Sequence, residues 1–502
     1  MDWQRVVATA LIGTDRQRPL PPTGDSSLAQ WLAQLDWQSP EKALLDAVSA
    51  LALHRQVGTL PQTTSESLPS GCSLEDWPPC SAETSQHLVR ILTQWKALHP
   101  LLPELLELMA AAQQRLPEVF LPKLLQTGAA EAAYRDQTLA VVGRRGHWLA
   151  QQNPDWAYAT FDRCDPLASV HAQTPAVRAV LLQQWRQQDP AAARDVIAAR
   201  SGEPAKERER LLTTLQTGLS NADEPFLEAT LDDRSQPVRQ LAADLLAQLP
   251  ESRLAQRMAE RAQACMQLSH TRKKFSLTIV PPQTIPADWT RDGIPHSKKA
   301  GKRAEALTQL IGRTPLSAWS EEPAALIAAA QENHWQSALL QGWAKAAVRQ
   351  NNAAWAEALL DADYAAAKPD LSRTALLAAM PPGHQTAWLM NHRPEPTDAR
   401  QWLDWLQAAS SCAGPWSTDF SQILLNHIQQ SDRMPDSYLS YHIQALIAPI
   451  AIALPFSFAP TLQTTLGRHP SHPRPAYGDL LEEILSLLKF RQAFHHPFKA
   501  SS

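Results

Sequence analysis

The stretch LDDRSQPVRQLAADLLAQLP, residues 231–250, decides the fold class. Val238, Leu241, Ala242, Leu245, Leu246 and Leu249 fall at steps of 3, 4, 7, 8 and 11 from the first of them. That spacing lines one face of a helix with apolar side chains. A second helix, Glu224–Leu231, lies just before it across a short connection. The pair reads as an antiparallel hairpin whose apolar stripe must be covered by neighbouring hairpins. Asp232 and Asp233 precede the second helix and Arg239 opens it. Adjacent carboxylates do not face each other on a helix, and helix N-termini attract acids electrostatically. These charges are therefore expected to cap and join helices rather than to form an acid/base pair.

Working outward, residues 175–250 hold a regular series: PAVRAVLLQQWRQQ, DPAAARDVIAAR, AKERERLLTTLQTGL, EPFLEATLD and QPVRQLAADLLAQL. Short links between them make sequential neighbours antiparallel, and stacked hairpins of this size build an α-solenoid. The hairpin 224–249 resembles a HEAT-type repeat, in which an Asp before the second helix and an Arg at its start form a polar ladder between units. Asp233 and Arg239 match those positions. Pro175-Ala176-Val177-Arg178 echoes the Val-Arg without the Asp, so no fixed period is assigned.

Composition agrees. Among 502 residues there are 17 Gly, about 3% against the usual ~7%. The 40 Pro sit mainly where helices start or stop, as in Gln188-Asp189-Pro190. The 17 Trp imply a substantial packed interior. The fold class expected is all-α: an α-solenoid of HEAT-like antiparallel helical hairpins with one irregular insertion holding a short strand or an extended arm. Its segments are N-terminal helices at 1–58, a Pro/Ser-rich linker or loop at 59–86, repeats at 87–269, the insertion at 270–303, and further repeats at 304–502. The last unit is expected to be a cap, since terminal repeats need a polar outer face.

A net charge of −4 carries no global bias toward nucleic acid or membrane. Five Cys at irregular spacing do not make a disulfide framework, which points to a reducing compartment and a cytoplasmic protein. The N-terminal run Val6–Gly13 has neither a basic leader nor a small-residue cleavage site and reads as a first helix. Ala445–Pro460 is apolar but holds 16 residues, against the about 20 that a span needs. It reads as a buried helix pair broken at Pro455, and no membrane partner is expected.

Motifs for chemistry are few. Cys72 and Cys80 lack the two-to-four spacing of zinc ligand pairs, and His469, His472, His495 and His496 read as surface residues. There is no Gly-x-Ser-x-Gly elbow, no Walker A loop and no Gly-x-Gly-x-x-Gly. No cofactor, metal or catalytic residue is assigned, and an enzymatic role is the less favoured one. Trp402 and Trp405, at helical spacing, read as core.

The exception is charge. Residues 270–303 carry Arg272, Lys273, Lys274, Arg291, Lys298, Lys299, Lys302 and Arg303 against Asp288 and Asp292. Such a cluster pairs with phosphates or with acidic protein surface, or is a solvated loop docked on the helices. Phe275 and Trp289 offer rings that stack bases or pin the loop. These eight cations are the candidate partner-binding residues.

ALIGTDRQRP (10–19), PPCSAETSQHLVRIL (78–92), GRRGHWLAQQNPDW (143–156), residues 231–250, WTRDGI, and GKRAEALTQLIGRTPLSAW occur in an order and spacing that resembles an uncharacterised bacterial family carrying a domain of unknown function. Genes of that family commonly neighbour those for MoxR-type AAA+ ATPases, von Willebrand factor A proteins and a SWIM zinc-finger protein. The resemblance implies an interaction partner, an AAA+ ATPase or a von Willebrand A protein; together with the helical hairpins and the missing catalytic motifs, the expected role is a non-enzymatic scaffold or adaptor. The alternative is a nucleic-acid-binding HEAT-like protein, including a DNA glycosylase type, and that rests on fold analogy.

Overall fold

The computed structural model describes residues 3–19, 21, 26–57, 70–161, 166–171, 174–270, 275–294, 301–362, 372–394, 399–429, 444–468 and 475–499. Among these the chain is all-α apart from one two-stranded sheet. It divides into two compact units, Met1–Gly71 and Cys72–Ser502.

The smaller unit is built from α1 (Trp3–Ile12), α2 (Ser27–Ala33) and α3 (Pro40–Val57). Its core is small: Val6, Leu44 and Leu51 are buried, with Trp3, Leu28 and Val48 packed against them. Ser26 caps α2 by accepting from the Ala29 amide, and the Arg55 guanidinium lies 5.1 Å from the Trp3 ring.

The larger unit begins with α4 (Ala82–Thr93), α5 (Leu102–Ala111) and α6 (Arg135–Val141). The regular series follows as α7 (Pro175–Gln188), α8 (Pro190–Ala198), α9 (Ala205–Thr213), α10 (Glu224–Thr230), α11 (Gln236–Leu246) and α12 (Arg253–Cys265). Prolines open α7 and α8, where a missing N–H costs nothing. Asp189 and Ser252 cap α8 and α12 with their side chains. The apolar stripe of residues 231–250 is where periodicity puts it: Val238, Ala242, Leu245 and Leu246 are all buried on α11.

The strand expected at Phe275 forms as β2 (Phe275–Ile279) and pairs antiparallel with β1 (Met266–His270), Leu268 opposite Leu277. The irregular segment therefore starts before residue 270, directly at the end of α12. A short α13 (Ala287–Arg291) follows, then α14 (Gly301–Arg313), α15 (Pro323–Gln331), α16 (Gln336–Arg349) and α17 (Ala353–Asp361). α14 and α16 cross closely because Gly342 has no side chain. A Cβ there would lie 2.6 Å from Ile311 Cβ and 3.2 Å from the Thr308 carbonyl.

Farther along the chain are α18 (Arg373–Ala378), α19 (Pro382–Asn391), α20 (Ala399–Ser410), α21 (Thr418–Gln429), α22 (Ile447–Ala453) and α23 (Pro475–Lys499). As expected, the apolar run 445–460 is broken before Pro455: Ile447–Ala453 and Phe456–Leu466 are bent 107° apart, and no single described helix is long and apolar enough to cross a membrane. Trp402 and Trp405 are core residues at 0% and 2% exposure.

The last helix has the polar outer face expected of it, with Glu482, Ser486, Lys489 and Gln492 exposed, but it is not a free end. In the larger unit α7, α9, α11, α12, α14, α16, α18, α20, α22 and α23 pack each on the next, and α23 then packs on α4 and α5. Leu481, Ile484, Leu488, Phe490 and Phe494 of α23 are buried. Arg491 Nε donates to Glu104 of α5 at 2.8 and 2.6 Å, and its Nη1 donates to the carbonyls of Ala451 and Leu454. His495 Nε2 lies 2.7 Å from the same carboxylate. Burial pushes Glu104 up, but His495 and Arg491 outweigh it and hold the carboxyl below its usual range. Where the last helix meets the first ones, its apolar face is covered and its polar face is left to solvent.

Candidate functional site

The regular series is joined across helices by guanidinium–carboxylate pairs. Arg186 of α7 is fully buried and faces Asp223, also buried, at 2.9 Å through both Nη atoms. Its remaining donors go to the carbonyls of Thr217, Pro190, Leu215 and Gly218. An Arg can be buried on these terms because its planar fork is satisfied on every side.

The two acids of the opening stretch part company. Asp233 accepts from Arg208 of α9 at 2.9 and 2.7 Å and from the Ser235 amide. Burial pushes the Asp233 carboxyl up, and the hydrogen bonds from Arg208 and Ser235 more than reverse that. Arg239 does not meet this carboxylate; it donates to the Asp233 carbonyl at 2.7 Å. The matched Asp and Arg thus close their own turn, while the link between hairpins runs from Asp233 back to Arg208. Asp232 turns the other way and accepts two bonds from Arg291, at 2.6 and 2.9 Å, which hold it below the usual carboxylate range.

Arg291 therefore belongs to the fold. It also donates to Asp292 and to the Glu228 carbonyl, and Asp232 raises its pKa. Around it, Arg253, Arg257 and Arg261 form a row at four-residue spacing on α12. Arg253 meets Glu224, Arg257 bridges Glu228 and Asp292, and Arg261 bridges Asp292 and Asp288. Arg261 also lies 5.3 Å from the Trp289 ring, which pins that ring to α12. Farther along, Gly293 adopts φ +84° against Ala243, and its carbonyl accepts from Arg313. Arg313 and Arg349 share Asp244 of α11.

Of the eight candidate cations, Arg291 and Arg303 are held internally. Arg303 donates to the Pro281 carbonyl and lies 5.7 Å from the Trp335 ring. Lys302 falls in the first turn of α14. Arg272, Lys273, Lys274, Lys298 and Lys299 lie outside the described residues, as does the side chain of Phe275.

Beside this seam is a recess that sequence reasoning missed. It encloses about 240 Å³ between α8, α9, α10 and α11. Ile197, Leu211, Leu212, Phe226 and Val238 line it, and Arg200, Arg208, Asp232 and Asp233 stand at its edge. Each of these charges has an opposite partner: Arg200 with Glu203 at 3.7 Å, and the others as described. Its walls come from four helices whose apolar residues all look like ordinary core positions in sequence, so no local motif announces it. Among the described residues no group of three His, Cys, Asp or Glu side chains could hold a metal ion.

A family model, described as a family of unknown function (DUF5691), matches residues 5–498. No curated protein and no solved structure matches the chain.

Proposed function

We propose that this chain, which belongs to the DUF5691 family of unknown function, is a helical-repeat scaffold that binds another protein without carrying out chemistry on it. The single observation that carries this reading is the recess. Its wall is apolar and every charged group at its edge is neutralised by another side chain of the same chain. Such a surface recognises shape and apolar area. The packing of alternate helices from α7 to α22 supports reading them as an α-solenoid of HEAT-like hairpins. The partner proposed is a MoxR-type AAA+ ATPase or a von Willebrand A protein in the cytoplasm, on the resemblance of the sequence landmarks.

Affinity purification of the full chain from its native extract, with cross-linking and mass spectrometry, tests it. A stoichiometric protein cross-linked near α8–α11 is expected. Recovery of the chain without a stoichiometric protein would remove the reading.

A further inference from the structure

We infer that the recess between α8 and α11 is an anchor pocket for a single neutral aromatic side chain, of phenylalanine size, presented by a partner polypeptide. This rests on the scaffold reading and specifies what its surface accepts. Three observations lead to it. The first is size: about 240 Å³, below the roughly 300 Å³ at which pockets for drug-sized ligands begin, has room for one ring with its methylene. The second is the wall. Ile197, Leu211, Leu212 and Val238 are each under 5% exposed, yet one side of each faces the recess. Phe226 is only partly buried and offers a ring for offset or edge contact.

The third is charge. A cationic ligand would need a carboxylate, but both oxygens of Asp232 accept from Arg291 and both of Asp233 accept from Arg208. An anionic ligand would need a guanidinium, but Arg208 already donates to Asp233 and to the Glu203 carbonyl, and Arg200 is paired with Glu203. A charged group would meet carboxylates and guanidiniums whose charge is already compensated within the chain. A neutral apolar group gains burial and displaces only water. A central apolar anchor inside a ring of paired charges is also the usual anatomy of an interface hot spot.

The test uses the full chain with labelled Leu and Val methyl groups and N-acetyl-phenylalaninamide as the probe. Saturable shifts at Leu211, Leu212 and Val238 in the millimolar range are expected. N-acetyl-argininamide and the corresponding aspartate amide should move these methyls at least about tenfold less at equal concentration. Ala229 lines the recess and is itself exposed, so Ala229→Trp should close it without entering the core. That variant, checked by circular dichroism and melting, should lose the probe shifts, and Ala229→Ser should keep them. The inference is overturned if no methyl shifts with the phenylalanine probe, if the charged probes act equally, or if a folded Ala229→Trp protein still binds. Should Ala229→Trp not fold, the comparison of the three probes on the unmodified chain decides. Partner capture that is indifferent to Ala229→Trp, with no probe binding, would remove the pocket and leave the scaffold. Probe binding with no partner would do the reverse.

Discussion

Between residues 186 and 349 neighbouring hairpins are joined by guanidinium–carboxylate pairs; between residues 355 and 427 they are joined by indole rings. In the first region Arg186, Arg208, Arg257, Arg313 and Arg349 each reach a carboxylate on another helix or its flanking turn. In the second, Trp388 Nε1 donates to Asp361, Trp405 Nε1 to the Leu389 carbonyl and Trp402 Nε1 to the His427 carbonyl. His427 is stacked 5.1 Å from Trp402 and lies 4.3 Å from Trp405. Both solutions satisfy buried polar groups across helices, but they differ in what they tolerate. The ionic seam fixes direction and leaves a recess edged with neutralised charge. The aromatic seam fills volume and leaves His427 5% exposed, its Nε2 without a hydrogen-bond partner among the described residues.

The largest effect expected of this contrast is at Asp223. Asp223→Ala strands a fully buried guanidinium, which costs about 3–5 kcal/mol, read as a shift in the denaturant midpoint. Because Arg186 also serves four carbonyls, a paired Arg186→Met/Asp223→Leu replacement should remain destabilised. Full recovery in that double variant would show that the carbonyl contacts carry nothing.

Next is acid. Burial, aided by Arg393, pushes the His427 pKa down to about 4, against the opposing pull of the Trp402 backbone carbonyl on the protonated ring. Its folded value lies below its unfolded one, so the fold favours the neutral ring. The stability is fully present above about pH 6.5 and is lost as pH falls toward 4, by at most about 3 kcal/mol. His427→Phe should flatten this part of the pH profile of the urea midpoint. An unchanged profile would break the contrast between the two seams.

Trp402→Phe removes the indole donor and leaves the His427 carbonyl without it, so about 2 kcal/mol should be lost. A loss exceeding that of Asp223→Ala would invert the ranking. The smallest effect belongs to the exposed end of the ionic seam. Asp232 is 64% and Arg291 34% exposed as side chains, so Arg291→Lys should cost under about 1 kcal/mol and less at high salt.

What could be read from sequence follows from the range of each interaction. The α11 stripe and the strand at Phe275 are local patterns, and both appear. β1 did not announce itself because MQLSH continues a helical run and becomes a strand only by pairing with β2. The basic cluster showed its sign but not its partners: Asp232 lies 59 positions from Arg291. The four-residue spacing of Arg253, Arg257 and Arg261 was the available signal that a row of acids would be met. The recess lies within four successive helices, residues 197–238, but its apolar residues look like ordinary core positions; the junction of α23 with α5 joins residues 387 positions apart, and no window of sequence contains it.

In the larger unit the last helix seats on the first ones through Glu104 and Arg491, 387 positions apart. A double-mutant cycle of Glu104→Ala and Arg491→Ala on the full chain measures it directly. Coupling of at least about 1 kcal/mol is predicted; losses that add to within about 0.5 kcal/mol would contradict it.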